Sequence, residues 1–374
     1  MRRRTALGLL IVTAGLVVTP TLPETAALAQ TAPEPSITAP PAPAAAAILV
    51  DVDTGRVLYQ ENAHTPLPPG SLTKVLTAMI AYDWLPPNSQ VPVNAVAYNA
   101  YPDKVGMKPG QKWPLAIALH ALITDSANDA AYALAIDIGG SLKGFVPIME
   151  AAGRQIGMTD HPTIEDPAGL DGTEGWDGGN RISAWDLAVA GRDMMANPYL
   201  AAIADQRTFD FEGPDHIAYH LLSRNYHFLA SYPGAIGVKT GFTDLAGYCD
   251  MEEAQQGNRK MLAVVLKSTN PDQDAAALIT QGFATPAVNE TREPRLPEVK
   301  QPEPAPKVAA PPVTPSTKVQ PVVADVTPKP AKTYGWEEGA AAAGIAIGTV
   351  LWLRRVANRI STRRRRPGDG QNRR

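Results

Sequence analysis

Ser71-Leu72-Thr73-Lys74 places a hydroxyl and an amine three positions apart. Side chains at i and i+3 share a helix face, so Lys74 reaches the Ser71 hydroxyl if a helix starts here. Serine is a weak nucleophile at its own pKa. An amine can act as its base only when burial or a neighbouring cation keeps it neutral. A helix start after Pro69-Gly70 also offers free N–H groups to developing negative charge. Taken alone, the pair reads more readily as an ordinary helix cap, since S-x-x-K is a common string.

Two further runs bear on the same chemistry. Ser126-Ala127-Asn128 falls at a break between helical stretches. Its hydroxyl could pass a proton to a leaving amine, and its carboxamide could hold a substrate carbonyl. The other reading is local capping of the next helix. Lys239-Thr240-Gly241 ends a strand, where Gly241 lets a second backbone approach and pair along the edge. Lys239 would be the cation that depresses Lys74, or the run is an ordinary strand-terminating turn.

Elements with a definite period must position these runs. Residues 47–53 read as a buried strand, Asp53-Thr54-Gly55 as a turn, and 56–62 as the returning strand. From Ser71 onward, Leu72, Val75, Leu76, Met79 and Ile80 fall on one side of a helix. Residues 115–138 read as two helical pieces broken around Asp125-Ser126, and 183–196 as another amphipathic helix. Three strands follow at 235–239, 247–253 and 261–268, with a turn at Gln256-Gly257-Asn258, and a final helix covers 273–283. Strands at both ends with helices between predict an antiparallel sheet that pairs early strands with late ones. Asp250, Glu252 and Glu253 stand where apolar alternation is expected, so that strand should be one-sided and exposed.

Outside this body, expected over 45–285, the composition changes. Net charge is −3 over 374 residues, and the dense arginine clusters lie at the extreme ends beside apolar segments, so nucleic-acid binding is not indicated. Arg2, Arg3 and Arg4 precede an apolar run at 6–18, and Ala27-Leu28-Ala29 offers a small-residue cleavage site. That pattern predicts a secretory signal peptide over 1–29. Residues 30–44 read as a disordered lead-in. Much of the proline excess follows Pro286, so 286–333 reads as a semi-extended spacer, reaching on the order of 140 Å at ~3.1 Å per residue. Within 334–356, the uncharged run 339–353 is accompanied by Trp336 and Trp352 and followed by Arg354, Arg355 and Arg359. About 15 residues rise about 22 Å, short of a ~30 Å hydrocarbon core unless snorkelling arginines and the aromatic ends extend it. A single membrane-spanning helix is expected, with 357–374 as a basic cytoplasmic tail and the body outside the cell membrane. Cys249 is the only cysteine, which excludes an intramolecular disulfide.

The order S-x-x-K, S-x-N, K-T-G resembles the D-alanyl-D-alanine carboxypeptidases, the low-molecular-weight penicillin-binding proteins. The resemblance covers nearly all of 45–285. It includes Asp53-Thr54-Gly55 with Val57-Leu58-Tyr59, PGSLTKVLTAM, SANDAAYALA from Ser126, Ile156-Gly157-Met158, Gly169-Leu170, and GVKTGFTDLAGYC from Gly237. It implies an α/β chain of the α+β kind, with the antiparallel sheet flanked by helices of β-lactamases and transpeptidases. It further implies that Ser71 forms an acyl-enzyme with Lys74 as base, and that Ser126 and Asn128 serve proton transfer and positioning. Lys239, Thr240 and Gly241 would polarise the site and contact substrate, and the Ser71 and Phe242 N–H groups would form an oxyanion hole. Arg224 sits where some members carry an arginine near the carboxylate. The implied partners are peptidoglycan stem peptides, β-lactams as inhibitors, and the membrane.

The chain also departs from that family. Many members place a carboxylate-binding arginine after the last strand, but Lys267 to Asp274 contains none. Recognition then falls to Thr240, Arg224 or Lys267. A Pro-rich spacer takes the place of the small β-domain that some members add. A serine β-lactamase would need an activating glutamate, and Glu165 and Glu174 lie in the right region without that family's flanking residues. A D,D-endopeptidase would use the same machinery on cross-links, and a catalytically idle wall-binding protein is the reading from another class. His216 and His220 follow Gly213-Pro214 and lack the acid of an H-E-x-x-H site, so neither metal nor cofactor is expected.

Overall fold

The central sheet is assembled from the two ends of the folded segment. The computed structural model describes residues 37, 44–172, 179–287 and 294–299. Strands β1 (Ala46–Asp51) and β2 (Val57–Glu61) form the expected early hairpin. A tight 3-10 turn at Gly70–Thr73 then leads into α1 (Lys74–Trp84). The short strands β3 (Gln90–Pro92) and β4 (Lys112–Pro114) pair around α2 (Ala95–Tyr98). They are followed by α3 (Leu115–Ile123), α4 (Asn128–Gly139), α5 (Leu142–Ile156), α6 (Ala184–Ala196) and α7 (Pro198–Ala204). A second hairpin, β5 (Thr208–Glu212) with β6 (Ala218–Leu222), precedes α8 (Tyr226–Ser231). Strands β7 (Ala235–Thr243), β8 (Gly247–Gln256) and β9 (Arg259–Ser268) and helix α9 (Pro271–Ala284) complete the body.

The five-stranded sheet runs β2-β1-β9-β8-β7, antiparallel throughout. β1 pairs with β9 from Ala46 opposite Leu266 to Asp51 opposite Met261, so the first and last strands of the body close the sheet. Both faces are covered, which is why β1 is a continuous buried run rather than an alternating one. On one face Ile48, Val50, Leu262 and Val264 pack with Val75, Leu76, Leu122, Ala188 and Met194. On the other, Leu49, Ala263 and Val265 pack with Phe228, Leu278 and Ile279. Each such large apolar side chain contributes about 1.5–3 kcal/mol when fully buried.

Two expectations need correction. β8 lies between β9 and β7 with both faces covered, so Asp250, Glu252 and Glu253 are only 3%, 0% and 0% exposed. The polar side chains misled because strand pairing, not composition, decides what is buried. His216, in the turn of the β5–β6 hairpin, and His220, on β6, are exposed and face Glu212 and Asp210 respectively, a placement that changes nothing expected of them. Second, residues 294–299 are not passive spacer. Val57 N–H donates to Pro294 O (2.9 Å) and Leu296 N–H to Gly55 O (2.8 Å). Leu296 is 5% exposed, and Arg192 Nη1 donates to Pro297 O at 2.8 Å. A leucine anchor and open backbone groups of the β2 edge capture this segment, which a proline-rich composition conceals.

The expected signal peptide (1–29), most of the lead-in and spacer, the membrane segment (334–356) and the basic tail lie outside the described residues. Among the described residues, no helix is long and apolar enough to cross a membrane.

Candidate active site

The nucleophile and its base sit at the junction of the 3-10 turn and α1. In a 3-10 turn, side chains three apart eclipse one another. Lys74 Nζ accordingly lies 2.7 Å from Ser71 Oγ and also donates to Ala168 O at 2.9 Å. Lys74 is fully buried. Burial is the largest cause holding its pKa well below the ordinary lysine value, and the Lys239 ammonium comes second. Asp166 and Asp103 pull the other way.

A loop beneath the turn fixes this pair. Gly169 adopts φ +80°, and a Cβ there would lie 1.9 Å from Gly70 O, so only glycine lets the loop pass. Asp166 Oδ1 accepts the N–H groups of Ala168 (2.8 Å) and Leu170 (3.1 Å), while its Oδ2 accepts the Tyr132 hydroxyl at 2.6 Å. Burial, then Asp166, push the Tyr132 phenol pKa up, so it stays a donor. Asn180 accepts from the N–H groups of Glu165 and Asp166 and donates to Thr73 Oγ1 (3.0 Å) and Asp166 O (2.8 Å). Sequence reasoning missed Tyr132, Asp166 and Asn180. Their one signal was the D-P-A-G run at 166–169, which closes too tightly for an ordinary loop.

Ser126 occupies the break between α3 and α4 in a left-handed conformation, φ +60°, uncommon for serine. Its neighbours hold the facing loop. Asn128 N–H donates to Asp103 O at 2.8 Å, and Asn128 Nδ2 donates to Tyr101 O at 2.9 Å. The Asp129 carboxylate gathers the N–H groups of Val105, Gly106 and Met107. Holding a substrate carbonyl therefore requires the second N–H of the Asn128 amide. Arg224 is 44% exposed and shared between Asp103 (3.1 Å) and Asp125 (3.2 Å).

β7 forms the opposite wall. A Cβ on Gly241 would lie 3.0 Å from Ser71 N, and one on Gly70 would lie 3.3 Å from Phe242 N. These two glycines thus bring the Ser71 and Phe242 N–H groups to one place. Lys239 is buried behind the strand and donates to Thr240 O at 2.8 Å. Burial first, then Arg224, push its pKa down to about 8, opposed by Asp250, Asp125 and Glu252.

Between the walls lies a cleft of about 990 Å³ that Ser71, Ser126, Arg224, Thr240, Gly241 and Phe242 all line. Lys74, Asn128 and Lys239 stand behind its surface. Lys267 does not line it, and Glu165 is engaged through its backbone; Glu174 lies outside the described residues. At the far end Asp250, Thr269, Asn270 and Asp272 occupy the wall where an arginine was expected. Burial, then Asp272, hold the Asp250 pKa well above the carboxylate range. The site can form and break a serine ester, with a buried amine as base and two backbone N–H groups facing the oxyanion.

Comparison with known proteins follows the same lines. The family model described as D-alanyl-D-alanine carboxypeptidase matches residues 31–270. The D-alanyl-D-alanine carboxypeptidase DacB2 of Mycobacterium tuberculosis is 35% identical over 67% of this chain and 86% of its own length. DacF of Bacillus subtilis is 27% identical over 62% of this chain, which spans 59% of that relative. The crystal structure of D-alanyl-D-alanine carboxypeptidase from M. tuberculosis H37Rv superposes with a TM-score of 0.63 at 32% identity, covering 70% of this chain and 98% of that one. A serine-to-alanine variant of the Streptomyces K15 DD-transpeptidase gives 0.58 at 26% identity, over 64% and 98%.

Proposed function

The chain belongs to the D-alanyl-D-alanine carboxypeptidase family of penicillin-binding hydrolases, and from that premise we propose that Ser71 is the nucleophile that releases the terminal D-alanine of peptidoglycan stem peptides. The observation that carries this reading is the fully buried Lys74 amine 2.7 Å from Ser71 Oγ. Neutral Lys74 takes the Ser71 proton as Oγ attacks the scissile carbonyl. The tetrahedral oxyanion is received by the Ser71 and Phe242 N–H groups, a contribution of about 2.7–4 kcal/mol per donor in comparable sites. Ser126 relays the proton to the departing D-alanine amine, and Asn128 steadies the peptide. Water then attacks the acyl-enzyme and regenerates Ser71. Thr240 faces the leaving group's carboxylate, Lys239 adds positive charge from behind the strand, and Arg224 stands at the rim.

Labelled penicillin tests the nucleophile: a mass increase on the peptide bearing Ser71 is expected, and a label elsewhere on folded protein would sink the assignment. Incubation with a pentapeptide and with a cross-linked dimer separates carboxypeptidase from endopeptidase. Free D-alanine from the pentapeptide alone is the expected result.

We also place the body outside the cell membrane, exported by residues 1–29 and tethered by the apolar run near 339–353. The support is in the sequence: charge-flanked apolar runs at both ends and a proline-rich spacer between body and anchor. Protease added to intact cells should remove the body and spare a tail epitope. Protection of the body would overturn this placement.

A further inference from the structure

A group of carboxylates at the far end of the cleft has no part in the scheme above. Asp250 and Glu252 project from one face of β8, since residues i and i+2 share a face, and Asp272 enters from the first turn of α9. One oxygen from each lies within 4.8 Å of the others. Asp250 and Glu252 are buried. Their partners are few: Asn225 Nδ2 donates to Glu252 Oε2 at 2.7 Å, and His227 Nδ1 lies 2.9 Å from Asp272 Oδ2. Asp250 Oδ2 and Glu252 Oε1 are buried with no hydrogen-bond partner, as is Asn225 Oδ1 beside them. Lys239 donates a hydrogen bond to Thr240 O, and no ion pair joins it to any of the three among the described residues.

Carboxylates brought together away from water need a neutralising partner. Protons on these groups would neutralise them but would still leave Glu252 Oε1 and Asn225 Oδ1 without a hydrogen-bond partner. A cation satisfies all three. The ligand set is oxygen only, which suits a hard cation: calcium takes six to eight oxygens at about 2.3–2.6 Å. The position is also informative. Asp250 is the cross-strand partner of Thr240, and Thr240, Asp250 and Asp272 line one cleft.

We propose that Asp250, Glu252 and Asp272 bind a divalent cation of the calcium type, which presents positive charge to the leaving group's terminal carboxylate. Its role toward substrate rests on the function proposed above; the site itself does not. The cation reverses the charge of a wall that holds two aspartates and, from Lys267 to Asp274, no arginine. Water and the substrate carboxylate would complete its shell.

The test uses the full chain stripped of divalent ions, titrated calorimetrically with calcium chloride. One saturable site at or below about 1 mM is expected, weakened at least about tenfold in both Asp250→Asn and the isosteric Glu252→Gln. Calcium should lower KM for a D-alanyl-D-alanine peptide about tenfold or more, and leave unchanged a peptide ending in a carboxamide. No saturable binding to wild type, or unchanged binding in folded Glu252→Gln, overturns the site. Binding without an effect on KM keeps the site and overturns its role toward substrate. Penicillin labelling of the same sample separates the two readings. Labelling at Ser71 without calcium binding leaves the nucleophile standing and removes the cation.

Discussion

The two ends of the cleft hold their charge in opposite ways. Around Ser71, the buried groups Lys74, Thr73, Asp166 and Asn180 are all tied by hydrogen bonds to backbone or to one another. Around Thr240, Asp250 and Glu252 are equally buried, yet each keeps an oxygen with no donor. A satisfied network fixes one geometry, which is what a single proton transfer needs. An unsatisfied one is a costly arrangement unless something outside the chain completes it. Of the groups described at the Ser71 end, only Asn128 Oδ1, beside the substrate path, lacks a donor, whereas at the Thr240 end two carboxylates do, and that end is the less complete of the two.

The largest effect is expected at the Ser71 end. Lys74→Ala removes the base, and penicillin acylation at pH 7 should fall roughly 10²–10⁴-fold. Its melting temperature should move by only a few degrees, because no charge is left stranded. Stopped-flow labelling with a parallel thermal melt measures both. A variant that unfolds would make Lys74 a structural residue and break the comparison.

Asp166→Asn comes next. It keeps one acceptor but places an amide against the Tyr132 hydroxyl, so stability should drop by about 1–3 kcal/mol in urea melts. Acylation should slow less than in Lys74→Ala. Glu252→Gln, measured without divalent ions, is the matched change at the other end. Burial, then Asp250, hold the Glu252 pKa well above the carboxylate range, so without a cation the change replaces a protonated carboxyl by an amide of the same shape and should be close to neutral or stabilising. Equal destabilisation by both would show that the two ends are alike after all.

A pH profile sharpens the contrast without destabilising either end. Lys74 must be neutral and Lys239 charged, so acylation should rise as Lys74 loses its proton and fall again as Lys239 titrates near about 8. Lys239→Arg should move the falling limb upward, since a guanidinium stays charged. Linkage has a definite sign here. The folded pKa of Lys239 lies below its ordinary 10.5, so the unfolded chain binds more protons between about 8 and 10.5. Its contribution to stability must therefore increase with pH across that window. A falling limb that stays in place in Lys239→Arg would assign the limb to another group.

Legibility in the sequence follows from distance along the chain. Ser71 and Lys74 are local, so their spacing alone put the amine beside the hydroxyl, although it did not distinguish a 3-10 turn from an α-helix. The early hairpin and the late strands were legible from their periods, and β1 does pair with β9. Tyr132, Asp166 and Asn180 come from three separate stretches, and each reads singly as an ordinary polar residue. Asp250 and Glu252 were misread because their burial depends on β8 lying between two strands, which no window of the sequence contains. Gly169 carries a steric requirement that only the turn above it reveals.

The smallest effect on chemistry is expected far from both ends, at the segment that docks on β2. Leu296 is buried against the body, and Arg192, whose Nε donates to Val52 O at 2.7 Å, reaches Pro297 O as well. Leu296→Ala should cost about 2 kcal/mol, the low end for a buried leucine, because a segment docked at the sheet edge can detach without unfolding the sheet. Acylation at Ser71 should stay within about twofold of wild type, since substitutions this far apart usually act independently. Hydrogen exchange should show the loss of protection confined to the Val57 and Leu296 amides, which donate to Pro294 O and Gly55 O. If Ser71 acylation slowed with it, the β2 edge would be coupled to the Ser71 turn through the sheet, and rigidity at the Ser71 end could no longer be credited to its own hydrogen bonds.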